Sequence, residues 1–226
     1  MPETNRRLFD IAGSICLLVI SSPILLTAAV AVGLTSTGPV FFSQTRLGRN
    51  GRPFRILKFR TMFTSRTNGP AITVAGDNRI TPVGKLLRRM KIDELPQLIN
   101  VLKGDMSLVG PRPEVPQYRH VYRQGFDEVL ESKPGITDPV SLALVNEEEF
   151  LGQFSDPLRA YEEILLPQKL ALSLSYLKQR RLRDDLLLIL STGLAAAGIR
   201  RTETSHFHRL MGADQHKTEF DNRHVD

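Results

Sequence analysis

The dominant feature of the hydropathy pattern is a run from Ile11 to Thr45 that contains no charged residue. Within it, IAGSICLLVISSPILLTAAVAVGL is long enough, at roughly 1.5 Å per helical residue, to cross a hydrocarbon core of about 30 Å. A cleaved leader is disfavoured, because the run is too long and lacks a clear small-residue cleavage site. Its default reading is a spanning helix. Ser21-Ser22-Pro23 at its middle argues otherwise, since an interior proline removes a helical hydrogen bond and bends the helix. The serine hydroxyls can take up the freed carbonyls. The flanks agree: Arg6 and Arg7 precede the run, and Arg46, Arg49, Arg52, Arg55, Lys58 and Arg60 follow it with no acid among them. Positive charge marks the cytoplasmic side, so both flanks ask for the same face. A re-entrant helix-break-helix over residues 1–36, turning at Ser22 and Pro23, is therefore expected in preference to a straight span.

Beyond it, Val40-Phe41-Phe42 and Phe54 to Phe59 read as short strands joined through Gly48 and Asn50-Gly51 turn signals. The alternation places Arg55, and Lys58 less clearly, away from the apolar face. Thr64 to Gly76 is polar and reads as a mobile loop. Thr81-Pro82 then opens a helix with Val83, Leu86, Leu87 and Met90 at helical spacing. Asp93 is placed to cap a second helix with Pro96 in its first turn, a stripe of Leu95, Leu98, Ile99 and Leu102, and a stop at Gly104. Glu114 to Glu131 reads as helical with Tyr118, Val121, Tyr122 and Phe126 as a contact face, and Lys133 to Thr137 as a turn. The acidic run at Glu147 is read as a solvated helix start. Tyr161 to Thr192 is helical in pattern, with Pro167 interrupting it. The apolar run Leu186 to Ile199 is too short to span and is expected on the core or in the membrane interface. Residues 200–226 read as a disordered tail, in which His206, His208, His216 and His224 lack regular metal-ligand spacing. The expected fold is α+β: a mostly helical cytoplasmic-face domain over residues 37–199, with a small β-hairpin, on the broken membrane helix.

Charge narrows the partners. The 226 residues carry a net charge of +6, with a pI near 9.7, so an anionic partner is expected. A basic hairpin at a bilayer would meet anionic lipid headgroups. Nucleic acid is not expected, because Phe41, Phe42, Phe54, Phe59 and Phe63 among these cations match no nucleic-acid module. Cys16, the single cysteine, cannot form an internal disulfide. The chemistry-bearing stretch is DNRITPVGKLLRRMKIDELPQLINVLKGDMSLVGPRP. A carboxylate at a helix N-terminus, as expected for Asp93, is held ionised and can act as a nucleophile or hold a dication. Glu94 points about a third of a turn away, and Arg88, Arg89 and Lys91 bring positive charge. An ordinary capped helix after a basic one accounts for the same residues.

The blocks GPVFFSQTRLGRNGRPFRILKFRTM, DNRIT to GPRP, KPGIT and LPQKLALSLSYLKQRRLRDDLLLILST, with Ser22-Pro23 before them, resemble the bacterial sugar transferase family, the small monotopic phosphoglycosyl transferases. The resemblance covers roughly residues 5–195. It implies transfer of a sugar 1-phosphate from a UDP-sugar to undecaprenyl phosphate, with release of UMP, at the cytoplasmic face of the bacterial inner membrane. It places the family's catalytic Asp-Glu dyad on Asp93 and Glu94, with Asp93 as nucleophile and with Mg2+ neutralising the diphosphate at Asp93. Lys58, Arg88 and Arg112 match family basic positions and become candidates for phosphate contacts. Asp185 matches the acidic position before the last helix, without a settled role. One departure stands out: after KPGIT the family's arginine-bearing stretch is replaced by Asp138 to Glu148, which contains no arginine. The alternative is a catalytically degenerate, membrane-anchored interaction protein.

Overall fold

The computed structural model describes residues 3–64, 77–143 and 147–196. The expected loop beyond Thr64, Asn146, the end of the last apolar run from Ala197 on, and the tail with its histidines lie outside them.

Helix α1 runs from Glu3 to Thr35 with Pro23 inside it, so the Ser22-Pro23 step does not divide it into two assigned helices. The reason lies in the hydroxyls. Proline has no N–H for the carbonyl four residues back, which is that of Val19, and Ser22 Oγ donates to that oxygen at 2.8 Å. Ser21 Oγ donates to Leu17 O at 2.6 Å and Thr27 Oγ1 to Pro23 O at 2.8 Å. By length and apolar composition α1 suffices to cross a membrane. Ile15, Val19, Ile20, Ile24, Leu26, Val30 and Leu34 along it are 49–82% exposed, so the fold itself does not cover them.

Both ends of α1 are nonetheless fastened to one body. At its start, buried Asp10 accepts from Ser107 Oγ at 2.9 Å and from Leu108 N at 3.0 Å. Arg7 donates to Val101 O at 2.5 Å and Leu102 O at 2.6 Å. Those carbonyls belong to the end of α3 (Gln97–Lys103), where a cation is favoured. At the far end, Arg60 donates to Ser36 O at 2.6 Å, Ser36 Oγ at 2.8 Å and Val32 O at 3.4 Å. Packing follows the same division. Phe9, Leu17 and Leu18 lie on a cluster of Ile56, Leu98, Val101, Met106, Leu108 and Val109, while Ala28 and Val32 pack with Phe59 and Leu87.

The basic hairpin forms as expected. Strands β1 (Phe41–Leu47) and β2 (Pro53–Phe59) pair antiparallel from Phe41↔Phe59 to Leu47↔Pro53. The turn between them needs left-handed backbone, supplied by Asn50 at φ 57° and Gly51 at φ 69°. Helix α2 (Pro82–Arg89) starts as read: Thr81 Oγ1 accepts from Gly84 N at 2.8 Å, and Pro82 takes the first helical position. Its expected apolar face is only half covered. Leu87 is buried, but Leu86 and Met90 are 55% and 41% exposed.

Three expectations are corrected. Asp93 caps nothing: it lies in a single 3-10 turn, Ile92–Glu94, and α3 begins after Pro96. The buried face of α3 is Gln97, Leu98, Asn100 and Val101, with Ile99 turned outward. The Lys133 to Thr137 segment is more than a turn, because Gly135–Thr137 forms β4, parallel to β3 (Ser107–Val109). Three residues are too few to show alternation. The pairing depends on glycine, since a Cβ at Gly135 would sit 2.1 Å from Gly110 N.

The remaining chain builds a second cluster. The expected Glu114–Glu131 helix forms only in pieces, a 3-10 turn Pro116–Tyr118, α4 (Arg119–Tyr122) and α5 (Asp127–Glu131), and of its expected contact face Tyr118, Val121 and Tyr122 are buried while Phe126 is partly buried. Two short helices follow, α6 (Pro139–Ala143) and α7 (Glu147–Leu151). Pro167 does not interrupt the next run. Helix α8 (Pro157–Ala160) runs through a π-turn at Tyr161–Leu165 directly into α9 (Leu166–Gln179), so the α-helical hydrogen-bond pattern changes just before Pro167, where the ladder lacks an N–H, and the chain stays helical through it. Helix α10 (Leu182–Ala196) leaves Leu186, Leu187 and Leu190 51–60% exposed.

Candidate functional site

The 3-10 turn carries both acids of the dyad inward: Asp93 is 6% and Glu94 8% exposed. Lys91, at φ 56°, makes the sharp step out of α2 that allows this, a strained conformation for a side chain with a Cβ. Glu94 is locked between two cations. Lys58 Nζ donates to Glu94 Oε1 at 2.7 Å. The Arg112 guanidinium straddles the carboxylate, with Nη1 3.2 Å from Oε2 and Nη2 donating to Oε1. Lys58 therefore faces the dyad, while its neighbour Arg55 turns outward and donates to Ser43 Oγ at 2.9 Å.

Asp93 is different. Its Oδ1 is buried and has no hydrogen-bond partner among the described residues. Burial pushes the Asp93 carboxyl up, and the Glu94 charge adds to this against the pull of Lys58, Arg88 and Lys91. Burial presses Glu94 the same way, but Arg112 and Lys58 outweigh it and hold that carboxyl well below its usual range. Desolvation lowers Lys58, and Glu94 opposes the shift. The two acids are thus driven apart in basicity, the pattern of paired groups with different tasks. The expectation that Asp93 is held ionised is corrected accordingly: it stands at no helix terminus, burial and the Glu94 charge raise its carboxyl, and Lys58, Arg88 and Lys91 offset them only in part.

Arg88 belongs to the same neighbourhood. Its Nε donates to Thr61 Oγ1 at 3.1 Å, and its charge reaches Asp93. Asp185 does not. Buried at 2% exposure, it accepts from Arg180 Nε at 2.9 Å, from Tyr176 Oη and from Arg6 Nη2 at 3.4 Å. Arg180 also donates to Val109 O at 2.5 Å. Asp185 ties the start of α1 and the α9–α10 junction to β3, a positional role.

Among the described residues, no three His, Cys, Asp or Glu side chains converge as a metal set. Glu94 is engaged by Lys58 and Arg112, which leaves Asp93, whose buried Oδ1 has no hydrogen-bond partner among the described residues, as the uncommitted carboxylate. One carboxylate suits Mg2+ that arrives with substrate phosphates supplying the other oxygens, and does not suit a resident dication.

Several residues escaped sequence reasoning. Asn100 Oδ1 accepts from Leu57 N at 3.0 Å and its Nδ2 donates to Arg55 O at 2.8 Å, riveting α3 to β2 on both sides of the step before Lys58. A polar residue at a buried helical position was the available signal. Asn100→Ala leaves that donor and acceptor of β2 unpaired and is expected to cost about 2 kcal/mol in urea unfolding; an unchanged midpoint would contradict the rivet. Asp138, buried, accepts from Arg112 N at 3.2 Å and from Ser141 N at 2.6 Å, fixing the backbone that aims Arg112. Arg46 donates to Pro113 O at 3.2 Å on the other side of it.

This geometry can be set beside known proteins. The family model described as "Bacterial sugar transferase" matches residues 1–198. A UDP-glucose:undecaprenyl-phosphate glucose-1-phosphate transferase of Caulobacter vibrioides is 40% identical over 197 residues, covering 84% of this chain and 68% of that protein. A UDP-N-acetylgalactosamine-undecaprenyl-phosphate N-acetylgalactosaminephosphotransferase of Aeromonas hydrophila is 39% identical, covering 66% of this chain and 40% of the relative. A UDP-glucose:undecaprenyl-phosphate glucose-1-phosphate transferase of Escherichia coli is 45% identical over 137 residues, 58% of this chain and 29% of that protein, so some relatives are much longer. With the match spanning both the long apolar helix and the Asp93–Glu94 turn, the chain belongs to the bacterial sugar transferase family.

Proposed function

We propose that this chain transfers a sugar 1-phosphate from a UDP-sugar to undecaprenyl phosphate, through a phosphosugar ester on Asp93. The observation that carries this reading is the asymmetry of the dyad: Glu94 is saturated by Lys58 and Arg112, while Asp93 keeps a buried oxygen without a partner among the described residues. A carboxylate raised by burial and still surrounded by cations is a better nucleophile than one pinned by them. Asp93 attacks the phosphorus that bears the sugar. The bond from that phosphorus to the bridging oxygen breaks and UMP leaves. A phosphate oxygen of the polyprenyl acceptor then attacks the same phosphorus and restores the Asp93 carboxylate. Lys58, Arg88 and Arg112 offset charge on the phosphoryl oxygens in both steps. Asp93 is the residue that would hold Mg2+, which would offset charge on the diphosphate of the donor. The direct test is UMP release over a panel of UDP-sugars with undecaprenyl phosphate. The relatives named above use different sugars, so the panel identifies the donor, and silence across it would refute the reading.

The membrane arrangement follows from the fastening of α1. With Asp10 and Arg7 tied at one end and Arg60 at the other to the same domain, a re-entrant path at the cytoplasmic face suits both the contacts and the basic flanks. Anionic lipids then meet the basic flanks, and the exposed leucines of α10 suit the interface. In a Cys16→Ser background, single cysteines at Thr4 and Ser36 are expected to react with an impermeant maleimide from the same side of oriented vesicles. Opposite sidedness would establish a spanning helix instead.

A further inference from the structure

Arg88 carries its charge on a long flexible stem, so it serves a phosphoryl group well only where its guanidinium is held in one orientation. The contact that holds it comes from outside the acidic turn. Thr61 Oγ1 accepts from Arg88 Nε at 3.1 Å. A bond at Nε, the root of the guanidinium, fixes the plane of the whole group. Thr61 is itself gripped on several sides and is 7% exposed. Its segment pairs with the chain that leads into α2: Thr81 N donates to Thr61 O at 2.9 Å, Met62 bridges Ile80, and Phe63 N donates to Arg79 O at 2.9 Å. Gly84 lets α2 close onto it, since a Cβ there would lie 2.2 Å from Thr61 O. Gly84 and Arg88 are four residues apart on one face of α2, so the face that packs on Thr61 also delivers Arg88 to it. On the other side Arg60 N donates to Val40 O at 2.9 Å, and the Arg60 guanidinium holds the end of α1 at Ser36. The acceptor for Arg88 is therefore in place before any substrate arrives.

We infer that Thr61 is a positioning residue for the transfer: its hydroxyl sets the Arg88 guanidinium toward Asp93, where the charge of Arg88 meets the transferring phosphoryl group. Thr61 acts through Arg88 alone and needs no contact with substrate. Its catalytic consequence rests on the transferase reading; the contact with Arg88 does not. The role falls on a neutral residue that neither charge nor apolar spacing marks, just past the end of β2 and 32 positions before Asp93. One atom carries it. Valine keeps the branched shape of threonine and removes the acceptor, whereas serine keeps the acceptor and removes a methyl group. The charge of Arg88 is one of those that pull the Asp93 carboxyl down against burial, which agrees with a guanidinium turned toward it.

The test is a double-mutant cycle on the full chain in detergent: wild type, Thr61→Val, Arg88→Met and the double variant, with Thr61→Ser as the conservative control. UMP release from the UDP-sugar with undecaprenyl phosphate gives kcat and KM for each. Thr61→Val is expected to lower kcat about tenfold and to change KM less than about twofold, because the misaimed cation is missed most when charge is in transfer. Thr61→Ser should recover most of that rate. In the Arg88→Met background, Thr61→Val should cost less than about twofold, since nothing is left to position. An equal loss in both backgrounds would mean that Thr61 supports the fold or acts elsewhere, and would refute the role. The cycle holds even where Thr61→Val lowers the thermal midpoint, because a general loss of folded protein reduces both backgrounds alike. The contact is read separately and without turnover, from hydrogen exchange of the Arg88 Nε–H resonance, assigned by its loss in Arg88→Met. Exchange should be faster in Thr61→Val than in wild type or Thr61→Ser; equal exchange in all three would refute the contact. Exchange that depends on Thr61, in a wild-type chain that turns over no UDP-sugar, would refute the transferase reading and the catalytic role together and leave only the contact.

Discussion

Asp93→Asn is expected to abolish UMP release, by about a thousandfold or more, while making the protein more stable. The first half follows from the nucleophilic role proposed for Asp93, a loss that the rest of a site cannot replace. The second half follows from the burial of Asp93 and the charge of Glu94 beside it, which together raise its carboxyl in the folded state. A group raised on folding contributes stability at pH values below its unfolded pKa, and that contribution is lost as pH rises through the folded value. At neutral pH the buried charge is therefore a net cost. The neutral amide removes that cost, for a gain on the order of 1 kcal/mol or a rise in Tm of about 2–4 °C. Below about pH 3, where the carboxyl is protonated in both states, the variant and wild type should converge. Loss of activity accompanied by a lower Tm at neutral pH would mean that Asp93 holds the fold together rather than being held in it at a cost.

Arg112→Met carries the opposite signature. Glu94 is depressed on folding, with burial opposing and Arg112 and Lys58 prevailing. Such a group contributes stability above its unfolded pKa, lost only as pH falls through its lower folded value. Removing Arg112 takes away both guanidinium contacts and leaves a buried carboxylate with Lys58 alone. The cost is expected at about 2–4 kcal/mol at neutral pH, toward the low end for a broken buried pair because Arg112 is itself 33% exposed. That corresponds to a Tm lower by about 5–10 °C. The deficit should shrink only below the unfolded glutamate value of about 4.3, as pH falls through the lower folded value and Glu94 takes up its proton. UMP release should drop about a hundredfold. Arg112→Lys restores the charge but not the fork, and should recover stability more than rate. A deficit as large at about pH 3 as at about pH 7.5 would contradict the assignment of Glu94 as its partner.

How far these residues could be read in advance depended on the kind of signal each one sent. The hairpin was legible because Asn50-Gly51 needs left-handed backbone and the flanking residues alternate. Thr81-Pro82 and Gly104 were legible because caps are local chemistry. The parallel β3–β4 pair was not, because residues 107–109 and 135–137 are buried or nearly so on every side and carry no period. The face of α3 was misjudged for a related reason. Asn100 and Gln97 are buried as polar groups, so counting apolar positions pulled the stripe toward Ile99, which points outward. Asp93 was found by its neighbours in sequence, yet its environment was misread, since a helix end was expected where a 3-10 turn stands. The ion pair of Glu94 with Arg112, 18 residues on, depends on how β3 and Asp138 present that arginine, and nothing local encodes that.

On the proposed mechanism the Asp93 carboxylate carries the sugar phosphate between the two substrates. Incubating the protein with its UDP-sugar in the absence of undecaprenyl phosphate, quenching in acid and mapping the peptides by mass spectrometry tests it directly. A sugar-phosphate mass is expected on the peptide containing Asp93, absent from Asp93→Asn and discharged when undecaprenyl phosphate is added. An adduct on another residue, or full turnover with no adduct at any time, would contradict the mechanism.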